Sequence, residues 1–150
     1  MIVVDASFVM KLPLNEPDSP QVRAQWRIWE QSGETIIAPP LFWPEVLSVV
    51  RQRIYRAILS EAEGDRALEG LERLEIDVRE PHGIYHVAWQ LARRFNRPTI
   101  YDCCYLALAD IAGCDFWTAD RRLVNVVSPS LPWVRSPWLA AEEKEDMPTP

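Results

Sequence analysis

Four acidic residues stand directly after, or inside, the most apolar stretches of this sequence. They are Asp5, Glu45, Asp102 and Asp120. A carboxylate near a hydrophobic core is costly unless it is ion-paired, hydrogen-bonded or bound to a metal. No basic residue is adjacent to the first three of these acids in the sequence. A shared hard cation with oxygen ligands is therefore the simplest explanation of the pattern.

Short apolar segments alternate with segments of helical periodicity along the whole chain. The pattern predicts strands at 2–4, 35–38, 75–78, 115–118 and 133–134, and helices at 6–12, 19–31, 42–56, 61–73, 84–95, 100–112 and 120–126. Nearly continuous apolar strands that alternate with helices indicate a parallel sheet covered on both faces. We therefore expect an α/β fold, a three-layer α/β/α sandwich with a central parallel sheet of four or five short strands.

The predicted elements bring the four acids toward one edge of this sheet. Asp5 and Asp120 lie at the carboxyl ends of predicted strands, and Glu45 and Asp102 lie in the first turns of predicted helices. Ligands of such sheets bind beyond the carboxyl ends of the strands. Two carboxylates about 4 Å apart repel each other by roughly 4 kcal/mol at an effective dielectric constant near 20, and a divalent cation reverses this. The sequence thus indicates metal-dependent chemistry on phosphate.

Each acid also has a purely structural interpretation. Asp5 and Asp120 suit helix N-caps, and Glu45 suits the positive end of a helix dipole. Asp102 suits a capping box that starts at Thr99. Two neighbouring hydroxyl residues are equally open: Ser7 orients a carboxylate or water, or bonds to backbone, while Thr118 supports Asp120 or is an ordinary strand residue.

Composition restricts the setting in which this chemistry takes place. The formal net charge of −6 argues against nucleic-acid binding by charge alone, but 14 of the 16 basic residues are arginine, which suits phosphate. Three unpaired cysteines and the lack of a long apolar run predict a cytoplasmic protein without a membrane span. We expect one domain over residues 1–135, followed by an acidic, partly disordered extension over 136–150.

The order of these motifs resembles a PIN-domain ribonuclease, and in particular the VapC-type toxins of type II toxin–antitoxin systems. The resemblance covers about residues 1–135 and rests on residues 3–7, on Pro44-Glu45, on Tyr101-Asp102 and on residues 117–123. It implies RNA cleavage that depends on Mg²⁺ or Mn²⁺, a homodimer, and a cognate VapB-type antitoxin. It also implies that Asp5, Glu45, Asp102 and Asp120 are the catalytic and metal-binding acids, with Ser7 and Thr118 in support.

Two other classes of protein fit part of the pattern. A haloacid-dehalogenase-type phosphatase needs a second Asp two residues after the first, where this chain has Ser7, and a receiver domain needs a late active-site lysine. The only lysines are Lys11 and Lys144. A PIN-like module that binds partners without catalysis, or a PIN-like nuclease of housekeeping RNA processing, also remains open.

Overall fold

The computed structural model describes residues 1–138 as alternating short strands and helices. The strands are β1 (Ile2–Val4), β2 (Ile36–Ala38), β3 (Asp77–Val78), β4 (Asp115–Trp117) and β5 (Val134–Arg135). The helices are α1 (Ala6–Val9), α2 (Ser19–Ser32), α3 (Phe42–Tyr55), α4 (Glu61–Glu72), α5 (Ile84–Arg94), α6 (Tyr101–Ala112) and α7 (Arg121–Val127). The predicted order of elements is confirmed, although α1 ends three residues earlier than expected.

The strands form one parallel sheet in the order β3-β2-β1-β4-β5. Strand β1 is central, with Val3 paired to Ile37 on one side and to Phe116 on the other. All three residues of β1 are buried, which requires cover on both faces of the sheet. Helix α6 packs against β1 and β4, and α5 packs on α6. The predicted α/β class with a central parallel sheet is confirmed.

The strand order creates a switch point between β1 and β4. Strands β2 and β3 extend the sheet on one side of β1, and β4 and β5 extend it on the other. Ligands of such sheets bind in the crevice at the carboxyl edge of the switch point. Asp5 follows β1 directly, and Thr118 to Asp120 follow β4.

The predicted C-terminal extension is only partly covered by the structure. Ser136 is fully buried, and the guanidinium carbon of Arg121 lies 4.1 Å from the ring centroid of Trp138. Residues 139–150, with the acidic part of the extension, lie outside the described residues, so the boundary at residue 135 stays a prediction. No helix within residues 1–138 combines the length and the apolar character that a membrane crossing requires.

Candidate active site

The four predicted acids line a single cavity of about 510 Å³ at the switch point. Strand ends and helix starts supply its walls: Asp5 and Ser7 after β1, Glu45 on α3, Asp102 and Tyr105 on α6, and Asp120 before α7. Thr118 lies behind this wall and is fully buried. The four acids that the sequence pattern grouped thus line one cavity, and their role there stays a prediction.

Asp5 is the most buried of the four acids, and it accepts three hydrogen bonds. Its Oδ1 accepts from Ser7 Oγ at 2.8 Å and from the backbone N–H of Phe8 at 2.8 Å. Its Oδ2 accepts from Thr118 Oγ1 at 2.6 Å. The bond from Phe8 makes Asp5 the N-cap of α1, as the structural interpretation predicted. The two hydroxyl groups also orient its carboxylate toward the cavity edge, so capping and support of a site coexist.

Burial raises the pKa of the Asp5 carboxyl to about 7, although the bonds from Thr118, Phe8 and Ser7 lower it. The negative charge of Asp102 raises it further. Among residues 1–138, no basic group lies within ion-pairing distance of Asp5. A buried carboxylate with oriented hydrogen-bond donors and no cationic partner is a suitable ligand for an added cation.

Thr118 joins the two strand ends in a way that the sequence did not indicate. Its Oγ1 donates to Asp5 and accepts from the backbone N–H of Asp120 at 3.0 Å. Ser7 Oγ lies 3.2 Å from the same hydroxyl and accepts from the backbone N–H of Ala119 at 2.9 Å. Ser7 and Thr118 thus form a polar bridge between the β1 and β4 loops, and Thr118 supports Asp5 rather than the Asp120 side chain.

Glu45 has a partner that the sequence analysis missed. The phenol of Tyr105, three residues after Asp102 on the same face of α6, donates to Glu45 Oε2. Burial raises the pKa of Glu45, the bond from Tyr105 lowers it, and the charge of Asp102 raises it. Burial and Glu45 keep the pKa of Tyr105 well above its ordinary value, so the phenol remains the donor. A tyrosine inside an apolar helix needs such a partner, and this was the available signal.

Asp102 has a basic partner, although no basic residue is adjacent to it in the sequence. Arg97, five residues earlier in the loop before α6, donates through Nη2 to Asp102 Oδ2 at 2.8 Å. The alternative of a capping box from Thr99 is also wrong, since the N-cap of α6 is Ile100 and it makes no side-chain cap bond. Adjacency in sequence was too narrow a criterion, because the loop turns back onto the helix start.

Asp120 serves as the N-cap of α7, as its structural interpretation predicted. Its Oδ1 accepts from the backbone N–H groups of Arg122 at 2.8 Å and Leu123 at 3.1 Å. Its carboxylate lines the same cavity as the other acids. A cap uses one carboxylate oxygen, which leaves the second oxygen of Asp120 available to a ligand.

The donor set of this cavity has the chemistry of a hard-cation site. Its acidic ligands are carboxylate oxygens, the type that Mg²⁺ prefers. In the described part of the chain, however, no three His, Cys, Asp or Glu side chains are close enough to form a metal site as they stand. The cavity thus fits a hard cation in the type of its donor atoms and in having Asp5, which makes no ion pair within residues 1–138. Asp102, in contrast, is already bonded to Arg97.

Comparison with known proteins identifies related sequences and folds. The family model of the PIN domain matches residues 2–128. Ribonuclease VapC9 from Mycobacterium tuberculosis is 31% identical over 132 residues, which cover 88% of this chain and 95% of that protein. The fold is similar to that of PAE2754 from Pyrobaculum aerophilum, with a TM-score of 0.67 and 18% identity over 97% of this chain and 96% of that chain. It is also similar to a toxin–antitoxin complex from Klebsiella pneumoniae, with a TM-score of 0.63 and 14% identity over 91% and 98% of the respective chains.

Proposed function

Because this chain belongs to the PIN domain family and to its VapC ribonucleases, we propose that it is the ribonuclease toxin of a toxin–antitoxin pair. Its reaction is the hydrolysis of RNA phosphodiester bonds by an activated water molecule, with Mg²⁺ or Mn²⁺ as the cofactor. The observation that carries the proposal is the cavity at the switch point. Four carboxylates from distant parts of the sequence line it, and one of them, Asp5, is buried and makes no ion pair within residues 1–138.

We assign the metal ligands from the donor chemistry of the cavity. Asp5 and Asp102 are the first choice as direct ligands, and Asp120, with one oxygen left free by capping, completes a second site. Bound there, a divalent cation lowers the pKa of a water molecule and neutralises charge on the reacting phosphate. Glu45, fixed by Tyr105, orients the attacking water. In hydrolysis the water oxygen bonds to phosphorus, and the bond from phosphorus to the leaving ribose oxygen breaks.

Ser7 and Thr118 orient the Asp5 carboxylate and favour its charged form. Both hydroxyl groups donate to its oxygens, and donation to the charged form lowers the pKa against the effect of burial. Their mutual contact and their bonds to the backbone of Ala119 and Asp120 hold the β1 and β4 loops at a constant separation. The distance between Asp5 and Asp120 is therefore set before any ligand enters.

The partners follow from the same proposal. The substrate is RNA, whose phosphates the arginines near the cavity position without specifying its sequence. A VapB-type antitoxin neutralises the enzyme, and a neighbour in fold is itself part of a toxin–antitoxin complex. We further propose a cytoplasmic homodimer built on a nuclease domain over residues 1–135. Exposed Tyr85 and Trp89, one turn apart on α5, are apolar surface available to a second copy.

The experiment that tests the function is cleavage of total RNA by the purified protein, with the cleavage sites mapped. The wild type should cut RNA with Mg²⁺ and stop when EDTA is added. Asp5→Asn, which keeps the size of the side chain, should lose cleavage by at least about 10²-fold because the charged ligand is gone. Asp65→Asn, at an exposed position of α4, is the matched control and should cleave like the wild type. Equal cleavage by wild type and Asp5→Asn would falsify the assignment.

One observation favours a second candidate, the partner-binding module without catalysis. Asp5 and Asp120 both cap helices, and no three acids in residues 1–138 form a ready metal site. For such a module, the wild type and Asp5→Asn would be equally inert on RNA and would inhibit growth equally when expressed. The nuclease predicts growth inhibition by the wild type alone.

A further inference from the structure

Arg97 holds one of the proposed metal ligands from a position beside the cavity. Its Nη2 donates to Asp102 Oδ2 at 2.8 Å, and the two side chains are 22% and 36% exposed. The contact involves a single nitrogen, so the guanidinium does not form the two-bond fork that is the strong geometry between arginine and a carboxylate. Arg97 and Asp102 are therefore joined by one hydrogen bond instead of two.

The backbone around Arg97 fixes it at this position. The residue before it, Asn96, has a φ of 48°, a left-handed conformation that asparagine tolerates better than most residues with a side chain. The backbone N–H of Arg97 then donates to the carbonyl of Ala92 at 2.8 Å, which closes the end of α5. This turn directs the Arg97 side chain back toward the start of α6.

The Nε of Arg97 is buried, and no acceptor in residues 1–138 lies within hydrogen-bonding distance of it. A buried donor without a partner is uncommon in native proteins and requires an explanation. Arg97 therefore has donor capacity beyond its bond to Asp102. Phosphate, the charged group of a nuclease substrate, matches the planar fork of an arginine.

A cation and Arg97 compete for the same carboxylate. A divalent cation on Asp102 and the Arg97 guanidinium on Oδ2 of the same carboxylate repel each other, so a cation bound at either oxygen weakens the bond from Arg97. Loading of the site would thus favour release of Nη2 from Asp102, and the freed group would be available to a phosphate bound at the same site. Once released, the side chain would be free to turn, which would uncover Nε and let Nε and Nη2 form a two-bond fork with that phosphate.

We propose that Arg97 is a substrate-binding residue that exchanges Asp102 for an RNA phosphate at the scissile bond when the site is loaded. This inference rests on the proposed function and assigns a residue to its substrate contacts. Arg93 and Arg94, on the last turn of α5, continue the same basic edge. Both are exposed and have no carboxylate partner in the described residues, so they extend the phosphate track away from the cavity.

The test compares Arg97→Gln and Arg97→Lys with the wild type, and Arg27→Gln on exposed α2 is the control for loss of one charge. Mg²⁺ binding is followed by thermal unfolding, and kcat and KM are measured on an RNA oligonucleotide that the wild type cleaves. Arg97→Gln should need about three- to tenfold less Mg²⁺ for half-saturation, because Asp102 is freed. It should nevertheless lose about 10²- to 10³-fold in kcat/KM, which is typical for removal of a donor to transition-state charge.

The lysine variant and the salt dependence separate a phosphate contact from a structural role. Arg97→Lys should recover about tenfold of the lost kcat/KM, since lysine restores the charge but not the fork. The slope of log affinity for the oligonucleotide against log salt should fall by about 0.7 in Arg97→Gln, the value for one phosphate of a single strand. Arg27→Gln, the control for loss of one charge, should keep the wild-type slope.

Unchanged or weaker Mg²⁺ binding in Arg97→Gln overturns the exchange, and wild-type kcat/KM in this variant overturns the phosphate contact. If Arg97→Gln does not fold, Arg97→Lys carries the test, and a wild-type kcat/KM in the lysine variant is then the contradicting result. Failure of the proposed function looks different, because the wild type itself would neither cleave RNA nor respond to Mg²⁺.

Discussion

The chemistry of Asp5 depends on a balance between burial and hydrogen bonding. Burial raises the pKa of its carboxyl to about 7, while Thr118, Phe8 and Ser7 favour the charged form. These residues are 113, three and two positions away from Asp5 in the sequence. One side chain is thus a helix cap, the end of a hydroxyl network and a candidate ligand. A substitution at Asp5 must therefore be evaluated for stability and activity separately.

Replacement of Asp5 by Asn should change how the stability of the metal-free protein depends on pH. A carboxyl whose folded pKa is raised from 3.8 to about 7 contributes stability that is fully present below the unfolded pKa and is lost as the pH rises through 7. Asp5→Asn lacks this loss. As the pH rises from 4 to 8, the difference in free energy of unfolding between Asp5→Asn and the wild type should shift by roughly 2–4 kcal/mol in favour of the variant.

Urea unfolding in EDTA at several pH values measures this difference. Asp65→Asn is the matched control, because Asp65 is exposed on α4, and its curve should run parallel to that of the wild type. Parallel curves for wild type and Asp5→Asn would instead mean that Asp5 is charged and well stabilised throughout this pH range.

The ends of secondary-structure elements carry the site, and their interiors carry the packing. Asp5 and Asp120 follow strands and cap the next helix, whereas Glu45 and Asp102 lie in first turns. In helix α4, away from the cavity, side-chain oxygens cap the helix and have no part in the site. Its capping box between Ser60 and Glu63 was predicted from sequence and is confirmed, with Ser60 Oγ accepting from the backbone N–H of Glu63 at 3.3 Å.

Two glycines of α4 should respond in opposite directions to alanine. At Gly70 a Cβ would meet no atom within 4 Å, so Gly70→Ala should raise the free energy of unfolding by about 0.5–1 kcal/mol through helix propensity. At Gly64 a Cβ would lie 2.9 Å from Cγ1 of Ile54 and nearer still to its Cδ1. The branched side chain on α3 must then shift, and Gly64→Ala should lose about 1–2 kcal/mol.

Urea unfolding of the two variants checks the contact between α3 and α4. Because both substitutions lie in one helix and add one methyl group, their difference isolates the contact from helix propensity. Equal stabilisation by both would show that Ile54 repacks without cost. Cleavage of RNA should be unchanged in Gly70→Ala, since Gly70 is exposed and lies outside the cavity.

On the scale of the whole molecule, the strand order determines where charge accumulates. The chain carries a formal net charge of −6, yet Arg97 bonds to Asp102 at the switch point, and Arg121 and Arg122 directly follow Asp120 in the sequence. Arginine next to a carboxylate cavity suits a polyanion that binds together with a divalent cation. If the proposed function holds, local arginines are a better indicator of nucleic-acid binding here than the overall charge.

Mg²⁺ should stabilise the folded protein against heat. A cation that binds only the native state at about 100 times its dissociation constant adds about 2.7 kcal/mol, which corresponds to roughly 5–10 °C for a chain of this size. The wild type should show this rise in Tm, and EDTA should reverse it. Asp5→Asn should show little of it. A wild type whose Tm is insensitive to Mg²⁺ and Mn²⁺ would contradict the metal assignment without affecting the fold.

The sequence by itself determined the elements, their order and the identity of the acids. Strand and helix formation depend on apolar periodicity and on caps within a few residues, and a parallel sheet places strand ends at one edge. Asp5 and Asp120 could therefore be assigned to a common crevice before any contact was known. The four acids as metal ligands remain a prediction from the same pattern.

Only the tertiary structure decided which groups accompany those acids. Thr118 bonds to Asp5 across 113 residues, Tyr105 bonds to Glu45 across 60, and Arg97 turns back onto Asp102 after a left-handed Asn96. Such partners depend on how α6 lies on β1 and β4 and on the path of one loop, which follow from packing of the whole core. Local sequence periodicity contains no information about these distances.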